Sequence, residues 1–151
     1  MKRRDALKNS AAVFGMLMAA GLLPQAAQAA YNKNAFDAKT VADVIKAMGA
    51  SAPAESKDVT LTAPDIAENG AVVPLGAATT LPNVKQMLVL VEKNPNTLVA
   101  SFAVSDAVDA NFLTRAKLGQ SSDVYAVAIT NDGKAFYAKK EVKVTLGGCG
   151  G

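Results

Sequence analysis

The chain has 151 residues, 16 of them Lys or Arg and 13 Asp or Glu, with one cysteine and no histidine. That inventory excludes a disulfide framework within the chain, a zinc cage of thiolates and imidazoles, and the Ser-His or Cys-His pairs of nucleophilic catalysis. The formal net charge of +3 looks basic, but all of it sits at one end.

Residues 1–29 read as an export signal. They begin with Lys2, Arg3 and Arg4, run apolar from about Ala11 to Leu23, and close on the small-x-small pattern Ala27-Gln28-Ala29. The apolar run falls short of the roughly 20 residues needed to cross a bilayer. Cleavage is expected between Ala29 and Ala30, which places the mature protein in the periplasm. Arg3-Arg4 within "RRDALK" points to the twin-arginine route, although Ala6 stands where that motif usually has Phe. This route moves proteins already folded, so the passenger can bring a second, signal-less subunit with it. Removing the four cations and one anion of residues 1–29 from totals of 16 and 13 leaves 12 of each. A mature chain without net charge has no electrostatic footprint for nucleic acid. Its length suits one domain that buries its own core.

Residues 30–36 carry no pattern and are expected to be a frayed start. "DAKTVADVIKAMG" predicts a helix: Asp37 is a candidate cap, Val41, Val44, Ile45 and Met48 recur at helical spacing, and Gly49 suits the stop. "ASAPAESKD" reads as a loop. From Val59 the periodicity changes to that of strands. "VTLTAP" (59–64) is a short one, "DIAENG" a polar turn, and "AVVPL" (71–75) a strand in which Pro74 argues for a bulge or an edge. "NVKQMLVLVEK" (83–93) is apolar on both faces in its middle, as a strand covered on both sides would be. The turn "NPN" leads to "TLVASFAVS" (97–105), with Leu98, Ala100, Phe102 and Val104 on one side, and "NFLTRAKLG" (111–119) follows. "DVYAVAIT" (123–130) and "KAFYAKKEVKVTL" (134–146) flank Asn131-Asp132-Gly133, a hairpin signal. In the last strand Phe136, Ala138, Val142, Val144 and Leu146 share one parity, and Tyr137, Lys139, Glu141, Lys143 and Thr145 the other. The expected fold is all-β: an immunoglobulin-like β-sandwich over residues 30–146 with one short N-terminal helix and a flexible C-terminal arm.

Few residues offer chemistry. Asp106 and Asp109 lie in "SDAVDAN", where aspartate serves turns. Lys139 and Lys140 make a small basic spot that suits a solvated strand. Catalytic and metal-binding residues are therefore expected to be none, and no cofactor is implied. Cys149 is different, because it stands in Gly147-Gly148-Cys149-Gly150-Gly151. No side chain within two positions could enclose it, and glycine is costly to order. Nothing adjacent in sequence would favour its thiolate. A thiol in such a place is one that other proteins act on. In an oxidising compartment a lone cysteine also suits a disulfide between chains, with the domain as a non-catalytic interaction module.

The ending "VKVTLGGCGG", together with "APDIAENGAVVPL" (63–75) and "DGKAFYAKKEVKV" (132–144), resembles the SoxY family of sulfur-carrying subunits. The resemblance spans the whole mature chain. It implies that Cys149 covalently holds sulfur intermediates as a thiosulfonate or persulfide, with Gly147, Gly148, Gly150 and Gly151 as the swinging arm. It further implies a carrier that is not itself an enzyme, paired with a SoxZ-type subunit. A c-type cytochrome would load it with thiosulfate-derived sulfur, and a hydrolase would release sulfate. A sulfane dehydrogenase, where present, would oxidise what remains.

Overall fold

The computed structural model describes residues 32–146. Two short helices, α1 (Lys33–Asp37) and α2 (Val41–Ala47), precede nine strands among the described residues. These are β1 (Ala54–Glu55), β2 (Val59–Thr62), β3 (Ile66–Asn69), β4 (Val73–Thr79), β5 (Val84–Val91), β6 (Leu98–Ala103), β7 (Asn111–Ala116), β8 (Ser122–Thr130) and β9 (Ala135–Leu146). The larger sheet runs β1-β9-β8-β5-β6, with β3 also paired to β9, and the smaller runs β2-β4-β7. The β-sandwich is as expected.

The two-sided apolar run of β5 has a direct cause. Met87, Val89 and Val91 join Val73, Leu75 and Ala77 of β4 and Val124, Ala126 and Ala128 of β8 in the core between the sheets. Leu88 and Leu90 point the other way, into a second cluster with Ala35, Val44, Ile45, Leu98, Val127 and Ile129. One face of the larger sheet thus packs on the smaller sheet and the other on the helices.

The start of the domain is more ordered than its sequence suggests. A helix, α1, occupies part of the stretch expected to be frayed. Its cap is Asn32, whose Oδ1 accepts from the Ala35 amide at 3.1 Å while its Nδ2 donates to the Ala47 carbonyl at 2.8 Å. A five-residue helix shows no periodicity, and one bifunctional cap secures it against α2. The predicted cap of the second helix is also corrected. Asp37 ends α1, and Thr40 caps α2 by accepting from the Asp43 amide at 3.1 Å. Gly49 does stop the helix, at φ +72°, a conformation that suits glycine.

Two further segments expected to be loop and turn are strands. β1 pairs in parallel with Phe136 and Tyr137, and β3 pairs in parallel with Lys143, Val144 and Leu146. Both are too short to show alternation, and both owe their conformation to β9, a tertiary partner. Pro74 lies in the central strand of the smaller sheet, not in an edge strand. Its position is nevertheless edge-like, because β2 pairs with β4 only over Gly76–Thr79, whereas Pro74 has a partner in β7, Arg115. The Asn131-Asp132-Gly133 turn joins β8 to β9, with Gly133 at φ +82°. Left-handed glycine closing a three-residue loop matches the type I turn with a bulge.

Candidate functional site

Cys149 and its flanking Gly147, Gly148, Gly150 and Gly151 lie outside the described residues, as do Arg3, Arg4, Ala29 and Ala30 of the export signal. The part of the site that is described is the root from which they extend, the end of β9.

That root is held from both sides. The β8 ladder ends at Ser122↔Val142, but Ser121 continues it, its Oγ accepting from the Val144 amide at 2.9 Å. On the other edge β3 takes over, with Ile66↔Lys143, Ala67↔Val144 and Asn69↔Leu146 in register. The Lys143 amide donates to the Asp65 carbonyl at 3.0 Å, and the Gly70 amide to the Leu146 carbonyl at 2.8 Å. The Thr145 hydroxyl donates to the Glu68 carbonyl at 2.9 Å. Gly70 in turn accepts from the Leu118 amide at 2.7 Å, which ties the same point to the segment after β7. The strand is therefore anchored through its last described residue, three positions before Cys149.

Lys140 reinforces the anchor. Its inward parity brings the half-buried ammonium to the Ala63 carbonyl and the Asp65 carboxylate, both at 2.8 Å. A hydrogen bond and then the charge of Lys140 hold the Asp65 carboxyl below the usual carboxylate range. Lys139, on the opposite face, pairs with Asp123 at 3.3 Å and sits 5.9 Å from the centre of the Tyr125 ring. The two lysines are thus engaged on opposite faces of β9 and form no common basic spot. Asp106 and Asp109 line a polar cleft beside Asn83, Asn131 and Val108, at the end of the sandwich where β9 begins.

A second feature lies on the outer face of the smaller sheet. Thr62, Pro64, Pro74, Gly76, Leu113 and Arg115 line an open groove, over which Leu113 is 81% exposed. A Cβ at Gly76 would stand 3.0 Å from Leu113 Cδ2 and 3.1 Å from Thr62 Cβ. The missing side chain lets these neighbours close over the strand.

No group of three or more acidic, cysteine or histidine side chains that could hold a metal occurs among the described residues. Nor is any described helix long and apolar enough to cross a membrane.

The family described as sulfur oxidation protein SoxY matches residues 44–149, from within α2 through Cys149. The chain belongs to the SoxY family. Its fold is similar to that of the sulfur carrier protein SoxY from Chlorobium limicola f thiosulfatophilum. That match has a TM-score of 0.64 and 32% identity, and covers 71% of this chain and 97% of that one. Superoxide reductase (neelaredoxin) from Ignicoccus hospitalis is similar in fold alone, with a TM-score of 0.51 and 18% identity over 57% of this chain and 79% of that one. Among curated proteins, no relative matches the sequence. SoxY membership supports a role in sulfur oxidation as a carrier within the Sox system. What sequence reasoning missed at the site is β3, although it lies inside "APDIAENGAVVPL", a stretch that resembles the family. Its short run Ile66-Ala67-Glu68-Asn69 has no signal apart from its partner strand.

Proposed function

We propose that the protein is an exported covalent carrier of sulfur intermediates, held on Cys149 and presented to partner enzymes of thiosulfate oxidation. The observation that carries this reading is the SoxY match running through Cys149, on a strand whose hydrogen bonding continues to Leu146. In loading, the Cys149 sulfur and the outer sulfur of thiosulfate form an S–S bond. A proton is released and an electron pair passes to a c-type cytochrome partner, leaving cysteine S-thiosulfonate. In release, a hydrolase adds water across the bond between the sulfane and sulfone sulfurs, giving sulfate and a persulfide on Cys149. A sulfane dehydrogenase, where present, oxidises the remaining sulfane sulfur to a sulfone with oxygen taken from water, releasing protons and passing the electrons to a cytochrome-type acceptor. One covalent attachment keeps each intermediate from diffusing away, and tethering raises its effective concentration at each enzyme.

The same proposal covers the rest of the molecule. Residues 1–29 direct the chain to the periplasm by the twin-arginine route and are removed between Ala29 and Ala30. A SoxZ-type subunit travels with it as a heterodimer. Gly147, Gly148, Gly150 and Gly151 serve as the arm around the cysteine.

The test is intact-mass spectrometry of protein purified from the periplasm of cells given thiosulfate, before and after reduction. Reducible sulfur adducts on a chain beginning at Ala30, absent from Cys149→Ser, are expected. A reducible doubling of mass without adducts would make Cys149 a tether between chains and end the carrier reading.

A further inference from the structure

We propose that a cleft between α2 and the larger sheet, walled by Tyr125, Tyr137 and Glu92, binds a small organic cation of the quaternary ammonium class. The site uses no part of the Cys149 arm and stands independently of the carrier reading.

The cleft exists because α2 is short. Its seven residues extend about 10 Å, whereas β8 is nine residues long and outruns it. Val127 faces Tyr137 in the β8–β9 ladder, and Tyr125 lies two residues away on the same face. The space left beside the helix is a cleft of about 380 Å³, a size that suits a small ligand. Its floor is apolar. Ile45 and Val127 are buried there, with Val41 and Pro53 half-buried beside them.

The walls carry the chemistry. The rings of Tyr125 and Tyr137 stand 5.7 Å apart, centre to centre, and are tilted by 53°. Two ring faces at an angle make an electron-rich corner for a cation. Glu92 is the one charged residue that lines the cleft, and it takes part in none of the ion pairs among the described residues. Its carboxylate accepts a bond from the Tyr125 hydroxyl at 3.4 Å, which sets the charge beside the ring. Lys139 comes within 5.9 Å of the Tyr125 ring centre. Its ammonium, however, is held by Asp123 at 3.3 Å, and it does not line the cleft. Burial, and then the Glu92 charge, push the Tyr125 phenol above its ordinary range against the opposing charge of Lys139. The cleft is a negative, partly desolvated corner with no cation among its lining residues.

These features select the class of ligand. A primary ammonium brings three N–H donors, and apart from Glu92 the lining side chains offer few free acceptors. The Thr40 hydroxyl at the rim is already engaged with Asp43, as donor at 2.7 Å and as acceptor at 3.1 Å. A quaternary ammonium has no N–H to satisfy. Its charge is spread over methyl groups that can pack on the rings, and one carboxylate balances it. An anion would be repelled by Glu92.

The experiment uses choline as the probe, at low ionic strength, with the mature chain and any subunit that purifies with it. The chain has three tyrosines and no tryptophan, so the ring protons of Tyr125 and Tyr137 are readily followed by NMR. Saturable shifts of both rings are expected, together with upfield ring-current shifts of the choline methyl signal. 3,3-Dimethylbutan-1-ol, the neutral carbon isostere of choline, should bind about tenfold more weakly, the value of a cation–ring contact. Glu92→Gln should weaken choline binding about fivefold, as for one partly screened charge pair. Tyr137→Leu keeps an apolar body without the ring and should weaken it about tenfold. Tyr137→Phe keeps the ring and should bind as the wild type does, which separates loss of the ring face from a disturbed fold.

No saturable shift in the wild-type protein overturns the site. Equal affinity for choline and its neutral isostere overturns it too, because the cleft would then select shape and not charge. Wild-type affinity in both Glu92→Gln and Tyr137→Leu puts the binding elsewhere and has the same consequence. Each of these results leaves the carrier reading of Cys149 standing.

Discussion

The hydroxyl of Ser121 accepts a hydrogen bond from the amide of Val144 at 2.9 Å, one step beyond the point where β8 and β9 stop pairing. Without it the Val144 amide would face a side of the strand that has no backbone partner. Ser121→Ala is expected to cost about 1–3 kcal/mol, the cost of leaving one donor unsatisfied. Native-state hydrogen exchange should show the loss concentrated in Val144–Leu146, while the amides at the centre of β5 and β8 keep their protection. Uniform loss of protection across the sheet would mean that the root of β9 is not a separate unit of stability.

Gly76 gives a prediction whose sign depends on its neighbours. Alanine usually helps in a strand relative to glycine, but its Cβ would lie 3.1 Å from Thr62 Cβ and 3.0 Å from Leu113 Cδ2. Leu113 is exposed and can rotate away, whereas Thr62 is fixed in the paired strand β2. Gly76→Ala is therefore expected to destabilise by about 1 kcal/mol, at the low end for overpacking. Adding Leu113→Ala should recover only part of this in urea melts. Full recovery would show that Leu113, and not Thr62, sets the constraint.

The parts of this fold legible in the sequence are those whose pattern is long enough to repeat. Alternation through β9 and the two-sided apolar run of β5 placed the core strands, and spacing placed α2. The missing pieces are short segments whose conformation comes from a partner. Asn32 holds α1 through two bonds of one side chain, and β1 and β3 exist only as parallel additions to β9. Pro74 argues for a bulge or an edge, and the edge holds for its local surroundings but not for its strand. At the site, the glycine-flanked Cys149 stood out by composition alone. The clamp around Leu146 could not, because Asp65, Gly70, Ser121 and Leu146 are brought together only by the sandwich.

The β8–β9 turn carries a pH dependence. Hydrogen bonds from Thr130 and Lys134 hold the exposed Asp132 carboxyl at about 2, below the ~3.9 of an unfolded chain. The folded state therefore binds this proton less readily than the unfolded one. The stabilisation is present above pH ~3.9 and is lost as pH falls through about 2. Thr130→Val removes the larger of the two causes. It should raise the Asp132 pKa toward the ordinary value in a carboxyl NMR titration and weaken this part of the acid dependence. An unchanged titration would show that Lys134 alone is sufficient.

The helical layer is expected to be a structural half of the domain, not an appendage. Ile45 is 2% exposed and packs in the cluster that contains Leu88, Leu90, Val127 and Ile129. Those four belong to the two central strands of the larger sheet, so any cavity left by Ile45 opens onto the strands that carry the fold. Ile45→Ala is expected to cost about 2–5 kcal/mol, the transfer of the lost methyl groups plus the cavity. Urea denaturation should shift its midpoint with the slope unchanged, as for a single cooperative unit. A loss below about 0.5 kcal/mol, within the range of surface substitutions, would mean the helices rest on the sheet without supporting it. Lys39 argues against that outcome: its ammonium reaches the Pro95 carbonyl and Asn96 Oδ1, both at 2.7 Å. It fastens the segment between the helices to the β5–β6 turn, so α1 and α2 have a second attachment to the strand pair they cover.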